Sequence, residues 1–110
     1  MYSEMNERET RKQQKGKTTI TTLDAKWAAK KLGINLKKLK LSEWRKGIEV
    51  ELEHGLINEK TNVTNDDLIQ TAMIALAHIL EYPDYYKRLS KMEKEAKQYW
   101  KYKKRPNIFI

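Results

Sequence analysis

From Trp27 to Tyr99 the apolar residues of this chain recur at steps of three and four, and no alternating stretch is longer than Ile34 to Leu36. That period belongs to helices with one buried face. With 110 residues there is material for one small domain and little more. The sequence therefore predicts an all-α fold, a compact bundle of about four helices over 22–103, with a polar amino-terminal arm over 1–21 and a basic tail over 104–110.

Local signals divide the helices. Thr21 and Asp24 stand at capping-box spacing ahead of Trp27, Ala28 and Leu32, and Gly33 supplies a left-handed stop, so a first helix spans 22–32. Ser42 is placed to cap a second helix through Trp44, Ile48 and Leu52, closing where Gly55 follows His54. After a polar loop, Thr64 and Asp67 repeat the capping spacing before the most apolar segment, Leu68 to Leu80, the expected core helix. Pro83 and Asp84 suit the start of a fourth helix. Its stripe of Tyr85, Leu89, Met92, Ala96 and Tyr99 is expected to pack on the core, with Pro106 as its stop. The segment before Thr21 has almost nothing apolar to bury, and contact with neighbouring subunits is expected to hold it.

Charge is blocked along the chain. Residues 26–46 carry eight basic groups and one acidic, 47–84 one and eight, 85–110 nine and two, within a net charge of +8. Two explanations stay open: neighbouring elements of opposite sign attract within one fold, or the basic ends face a polyanion. Lysine outnumbers arginine 18 to 5, which fits diffuse phosphate attraction better than bidentate reading of bases, although an AT-rich genome biases codons the same way. The candidate anion contacts are Lys30, Lys31, Lys37, Lys38 and Lys40 in the first block, and Lys97, Trp100, Lys101, Lys103, Lys104 and Arg105 in the second. Ile108, Phe109 and Ile110 form an apolar tip suited to a protein partner.

Without cysteine there is no disulfide framework or thiolate metal site, and no segment is apolar enough for a membrane span or secretory leader. An intracellular or particle-enclosed protein is expected, not a secreted one. No glycine-rich phosphate loop is present, and no triad spacing involves the two histidines. The sharpest chemical pattern is Glu51 with His54 and His78 with Glu81, each at i, i+3, the spacing used by carboxylate-bridged metal bundles. In an ordinary antiparallel hairpin, however, the two histidines stand about 16 Å apart. His54 would then approach Asp66 and Asp67, and His78 would approach Glu43 or Asp84. No cofactor is expected.

Gly47 to Ala96 resembles a small uncharacterised domain family of bacteria, tailed phages and large DNA viruses. The matching residues are Val50-Glu51-Leu52-Glu53-His54-Gly55, Asn62-Val63-Thr64-Asn65-Asp66-Asp67, Ile74-Ala75-Leu76-Ala77-His78, Glu81-Tyr82-Pro83-Asp84-Tyr85-Tyr86 and Lys91-Met92-Glu93. The resemblance implies no activity, only a viral or phage association. Asn65 stands where relatives are expected to carry an acid, a departure that weakens a carboxylate cage. The resulting expectation is a non-enzymatic minor structural or packaging protein of a virus or phage particle, in the virion or the host cytoplasm, contacting other subunits and nucleic acid through lysine. The alternatives are a free nucleic-acid-binding accessory protein and a metal-dependent enzyme centred on His54 and His78.

Overall fold

The computed structural model describes residues 19–109; the remainder of the polar arm, 1–18, and Ile110 of the apolar tip lie outside the described residues. Among the described residues four helices follow in order: α1 Thr22–Leu32, α2 Leu41–Ile57, α3 Leu68–Glu81 and α4 Tyr85–Trp100, with one 3-10 turn at Glu59–Thr61. Among the described residues there is no strand, and the fold is all-α.

The first helix forms as its sequence dictates. Thr21 Oγ1 accepts from the Asp24 amide at 3.0 Å, and Asp24 Oδ2 accepts from the Thr21 amide at 3.1 Å, a reciprocal box that satisfies two otherwise orphaned donors. Gly33 closes the helix at φ 71°. Two residues before the helix, Ile20 is fully buried. Its amide donates to Glu49 Oε1 at 2.8 Å, so the packed domain begins inside the stretch that composition assigns to the arm.

The second helix departs from its sequence signals at both ends. Lys40 occupies the cap position with no side-chain bond, and Leu41 rather than Ser42 sets the start. Gly55 lies inside the helix, which runs on to Ile57 because Leu52 and Leu56 still have core to cover. Asp67, not Thr64, caps α3, accepting from the Gln70 amide at 2.9 Å. Thr64 turns inward instead, 3.2 Å from the hydroxyl of buried Thr71, which itself donates to the Asp67 carbonyl at 2.7 Å.

The core gathers Ile20, Ala25, Trp27, Ala28, Trp44, Ile48, Leu52, Leu68, Ala72, Ala75 and Tyr86. Alanines where α1 and α3 meet α2 let the backbones approach around fully buried Trp44, whose indole Nε1 donates to the Ala25 carbonyl at 2.9 Å. Helices α2 and α3 form an antiparallel pair, with Glu51 beside His78. Helix α4 runs along α2 in the same direction: Tyr86 lies against Gly47, and seven residues further on Glu93 meets His54. The described part measures 51 × 30 × 18 Å, a slab about two helices thick.

The fourth helix holds the largest departure from sequence expectation. Only its first half is buried: Tyr86 is buried, Tyr85 and Leu89 are half-buried, and every residue from Lys91 to Tyr99 is exposed, with Glu93 still reaching His54. Met92, Ala96 and Tyr99 continue an apolar stripe beyond the core that it predicts. The helix ends at Trp100, ahead of Pro106. Beyond it the amides of Lys101 and Lys103 fold back on the carbonyls of Gln98 and Trp100.

Candidate functional site

Where α2, α3 and α4 meet, the family-like residues converge. The Glu51 side chain is 10% exposed, and its Oε2 accepts the Tyr86 hydroxyl at 2.7 Å. His78 Nε2 stands 3.8 Å from the same oxygen, an electrostatic contact too long for a hydrogen bond. The imidazole stacks on Tyr85, centroids 4.2 Å apart and planes 9° off parallel, and meets Tyr86 edge-on. His78 Nδ1 is buried without a protein partner. Burial, then the bond to Glu51, pushes the Tyr86 phenol above the range of an ordinary tyrosine; burial and the Glu51 charge raise Tyr85 as well. Tyr86 is thus held as a neutral donor committed to Glu51.

One turn along α2, His54 Nε2 meets Glu93 Oε2 of α4 at 3.1 Å, both side chains partly exposed. Each histidine therefore touches a carboxylate, but not those expected from a simple hairpin. His54 meets Glu93 because α4 lies along α2 and brings its own residues to that face, whereas His78 meets Glu51 across the antiparallel α2–α3 pair. Asp66 Oδ1 instead accepts from Asn62 Nδ2 at 2.9 Å, Asp67 caps α3, and Glu81 is exposed at the helix end. Among the described residues no three His, Asp or Glu side chains come together closely enough to hold a metal ion. Glu93 and Tyr86 were visible in the sequence only as parts of the family-like pattern; their pairing with α2 is a tertiary contact.

Beside this cluster lies a groove of about 360 Å³ between the end of α2, the turn after it and α3. Glu51, His54, Thr61 and Thr64 supply its polar lining, and Gly55, Ile57, Val63 and Ile74 the rest. A β-carbon at Gly55 would stand 3.0 Å from Asn62 Oδ1, so the small residue lets the turn fold against the helix. A second groove of about 260 Å³ lies at the other end of the cluster, lined by Leu39, Glu43, Lys46, Ile79, Pro83, Asp84, Tyr86 and Lys87.

The candidate anion contacts fall at two ends. Lys30 and Lys31 lie on α1, Lys37, Lys38 and Lys40 on the linker before α2, all exposed. Lys97, Lys101, Lys103, Lys104 and Arg105 are exposed along and beyond the free half of α4. Because α4 and α2 run in the same direction, the two blocks lie toward opposite ends of that helix pair. In the second block cations sit over rings: Lys103 is 4.0 Å from the centroid of Tyr99, and Arg105 is 5.4 Å from that of half-buried Trp100. Ile108 is exposed, and the Phe109 ring lies 4.4 Å from Lys60 Nζ. Among the described residues no helix is long and apolar enough to cross a membrane.

These features define a small all-α domain with a polar junction, an adjoining groove and a free basic helix end. The chain belongs to the DUF5661 family, described as proteins of unknown function, whose profile matches residues 25–95. The match covers most of α1, all of α2 and α3 and most of α4, and stops before the aromatic and basic end. No curated protein and no solved structure matches the chain.

Proposed function

We propose that this chain is a non-enzymatic structural or packaging component of a virus or phage particle, contacting neighbouring subunits and nucleic acid through its lysine-rich surfaces. The observation that carries this reading is the distal half of α4: Lys91 to Tyr99 are all exposed, so beyond the Glu93 bond to His54 the helix carries an apolar stripe flanked by Lys91, Lys94 and Lys97 that is open to partners. The tail beyond it adds Lys101, Lys103, Lys104 and Arg105. Aromatic rings among these cations offer stacking surfaces to unpaired bases. The histidines support a non-catalytic reading, since His54 ties α2 to α4 and His78 is packed between Glu51 and Tyr85. Resemblance to a domain family of bacteria, tailed phages and large DNA viruses is compatible with the particle setting.

The test is anisotropy of a labelled single-stranded oligonucleotide titrated with the full chain over a series of salt concentrations. Binding should weaken steeply with salt. Replacing Lys101, Lys103, Lys104 and Arg105 by alanine should reduce the log–log slope by about 3, at roughly 0.7 for each phosphate no longer neutralised. No binding at low salt, or a slope indifferent to these four changes, overturns nucleic-acid contact.

A further inference from the structure

The groove beside Glu51 and the terminal segment have complementary chemistry. Glu51 is nine-tenths buried, yet Tyr86 fills only one of the acceptor positions a carboxylate offers, and His78 is too distant to fill another. The second oxygen is not sealed in the core; the carboxylate opens on the groove, where its charge favours a cationic donor. At the mouth of the groove, Ile57 and Val63 are 79% and 78% exposed, apolar surface left in water. Its volume of about 360 Å³ suits one or two side chains rather than a folded element.

The segment with the matching order lies in this same chain. Lys101, Lys103, Lys104 and Arg105 are followed, after Pro106, by exposed Ile108 and Phe109. Residues 85–110 carry nine basic groups against two acidic, whereas 47–84, which builds the groove, carry eight acidic against one basic. Within one molecule the tail comes only as far as the groove's edge, where Phe109 meets Lys60, next to Thr61. We propose that the groove receives the basic and apolar terminal segment of a second copy of this chain. One cation of the segment reaches Glu51, the others stay outside the groove and open to nucleic acid, and Ile108 or Phe109 covers Ile57 and Val63. This names the neighbouring subunit of the proposed function and rests on that reading. A contact between two different surfaces is head-to-tail, so repetition yields a ring or an open filament.

Complementation in sedimentation velocity tests the proposal with full chains. The wild type should associate with rising concentration, more strongly at low salt. A groove variant, Thr61→Lys with Val63→Lys, changes two exposed residues; a tail variant carries Lys103→Glu, Lys104→Glu and Arg105→Glu. Each alone should associate about tenfold or more weakly, with an unchanged circular dichroism melt. Mixed, they should form a one-to-one complex, since one molecule keeps an intact tail and the other an intact groove. A wild type that stays monomeric at every concentration, or a mixture that fails to pair, overturns the proposal. If the monomeric chain still binds the oligonucleotide with the expected salt slope, the head-to-tail contact alone has failed and nucleic acid is what covers the tail. Loss of both takes the proposed function with it.

Discussion

Gly47 and Tyr86 are in contact so close that a β-carbon on Gly47 would meet Tyr86 Cε2 at 2.8 Å. The ring cannot swing aside cheaply, because its hydroxyl is held by Glu51 at 2.7 Å. Glycine inside a helix ordinarily costs about 1 kcal/mol against alanine, so its place here is set by the approach of α4. Gly47→Ala should therefore destabilise the fold by about 1–3 kcal/mol despite its better helix propensity. In a Tyr86→Leu background the same change should cost less or become stabilising. Urea unfolding of the four proteins in this cycle measures the coupling.

Tyr86→Phe keeps the ring and removes the donor, leaving the Glu51 carboxylate buried without its bond. A loss of about 1–3 kcal/mol at neutral pH is expected. The pH dependence follows from the raised phenol. Tyr86 binds its proton more tightly folded than unfolded, so its contribution is complete below the ordinary tyrosine value of 10.0 and is lost as pH rises above it. Urea midpoints between about pH 8 and about pH 11 should fall more steeply for the wild type than for Tyr86→Phe.

Asp84 and Arg88 bracket the first turn of α4, with Arg88 Nε donating to Asp84 Oδ1 at 2.9 Å. That bond holds the Asp84 carboxyl below the usual aspartate range. A depressed carboxylate stabilises the fold above its ordinary value and loses that effect as pH falls through the folded one. Both groups are exposed, so the consequence for stability is small. The direct readout is an NMR titration in which Arg88→Gln moves the Asp84 midpoint up, toward an unperturbed carboxylate.

Ile20 is fully buried at the start of the described chain, and Ile20→Ala should cost about 2–5 kcal/mol in urea unfolding. This residue also shows where local reading stops. The caps of α1, the existence of four helices and the core character of α3 were legible because each depends on residues within a few positions of one another. A lone isoleucine in a polar run gives no such signal; it joins the core cluster where its backbone bonds Glu49 and Arg45, more than twenty residues away in the chain. Gly55 looked like a stop because a glycine after a histidine commonly closes a helix, yet α2 continues while its apolar face still has a neighbour. The pairing of His54 with Glu93 and of Glu51 with Tyr86 required the direction of α4 along α2, which no spacing encodes.

The stripe along α4 yields the last expectation, because its periodicity is uniform while its surroundings are not. Tyr85, Leu89, Met92, Ala96 and Tyr99 repeat at helical steps, but the core ends beneath Leu89, and Met92 and Tyr99 are more than half exposed. A regular apolar pattern marks a face; what that face packs against is decided by what lies opposite. Met92→Lys and Tyr99→Lys should therefore leave the unfolding free energy within about 0.5 kcal/mol of wild type, as at ordinary surface positions. Leu89→Lys, one turn earlier, should destabilise it by more than about 1 kcal/mol through burial of an unpaired charge. Equal effects at all three positions in urea unfolding would place the distal half of α4 against the bundle and remove the free surface on which partner contact depends.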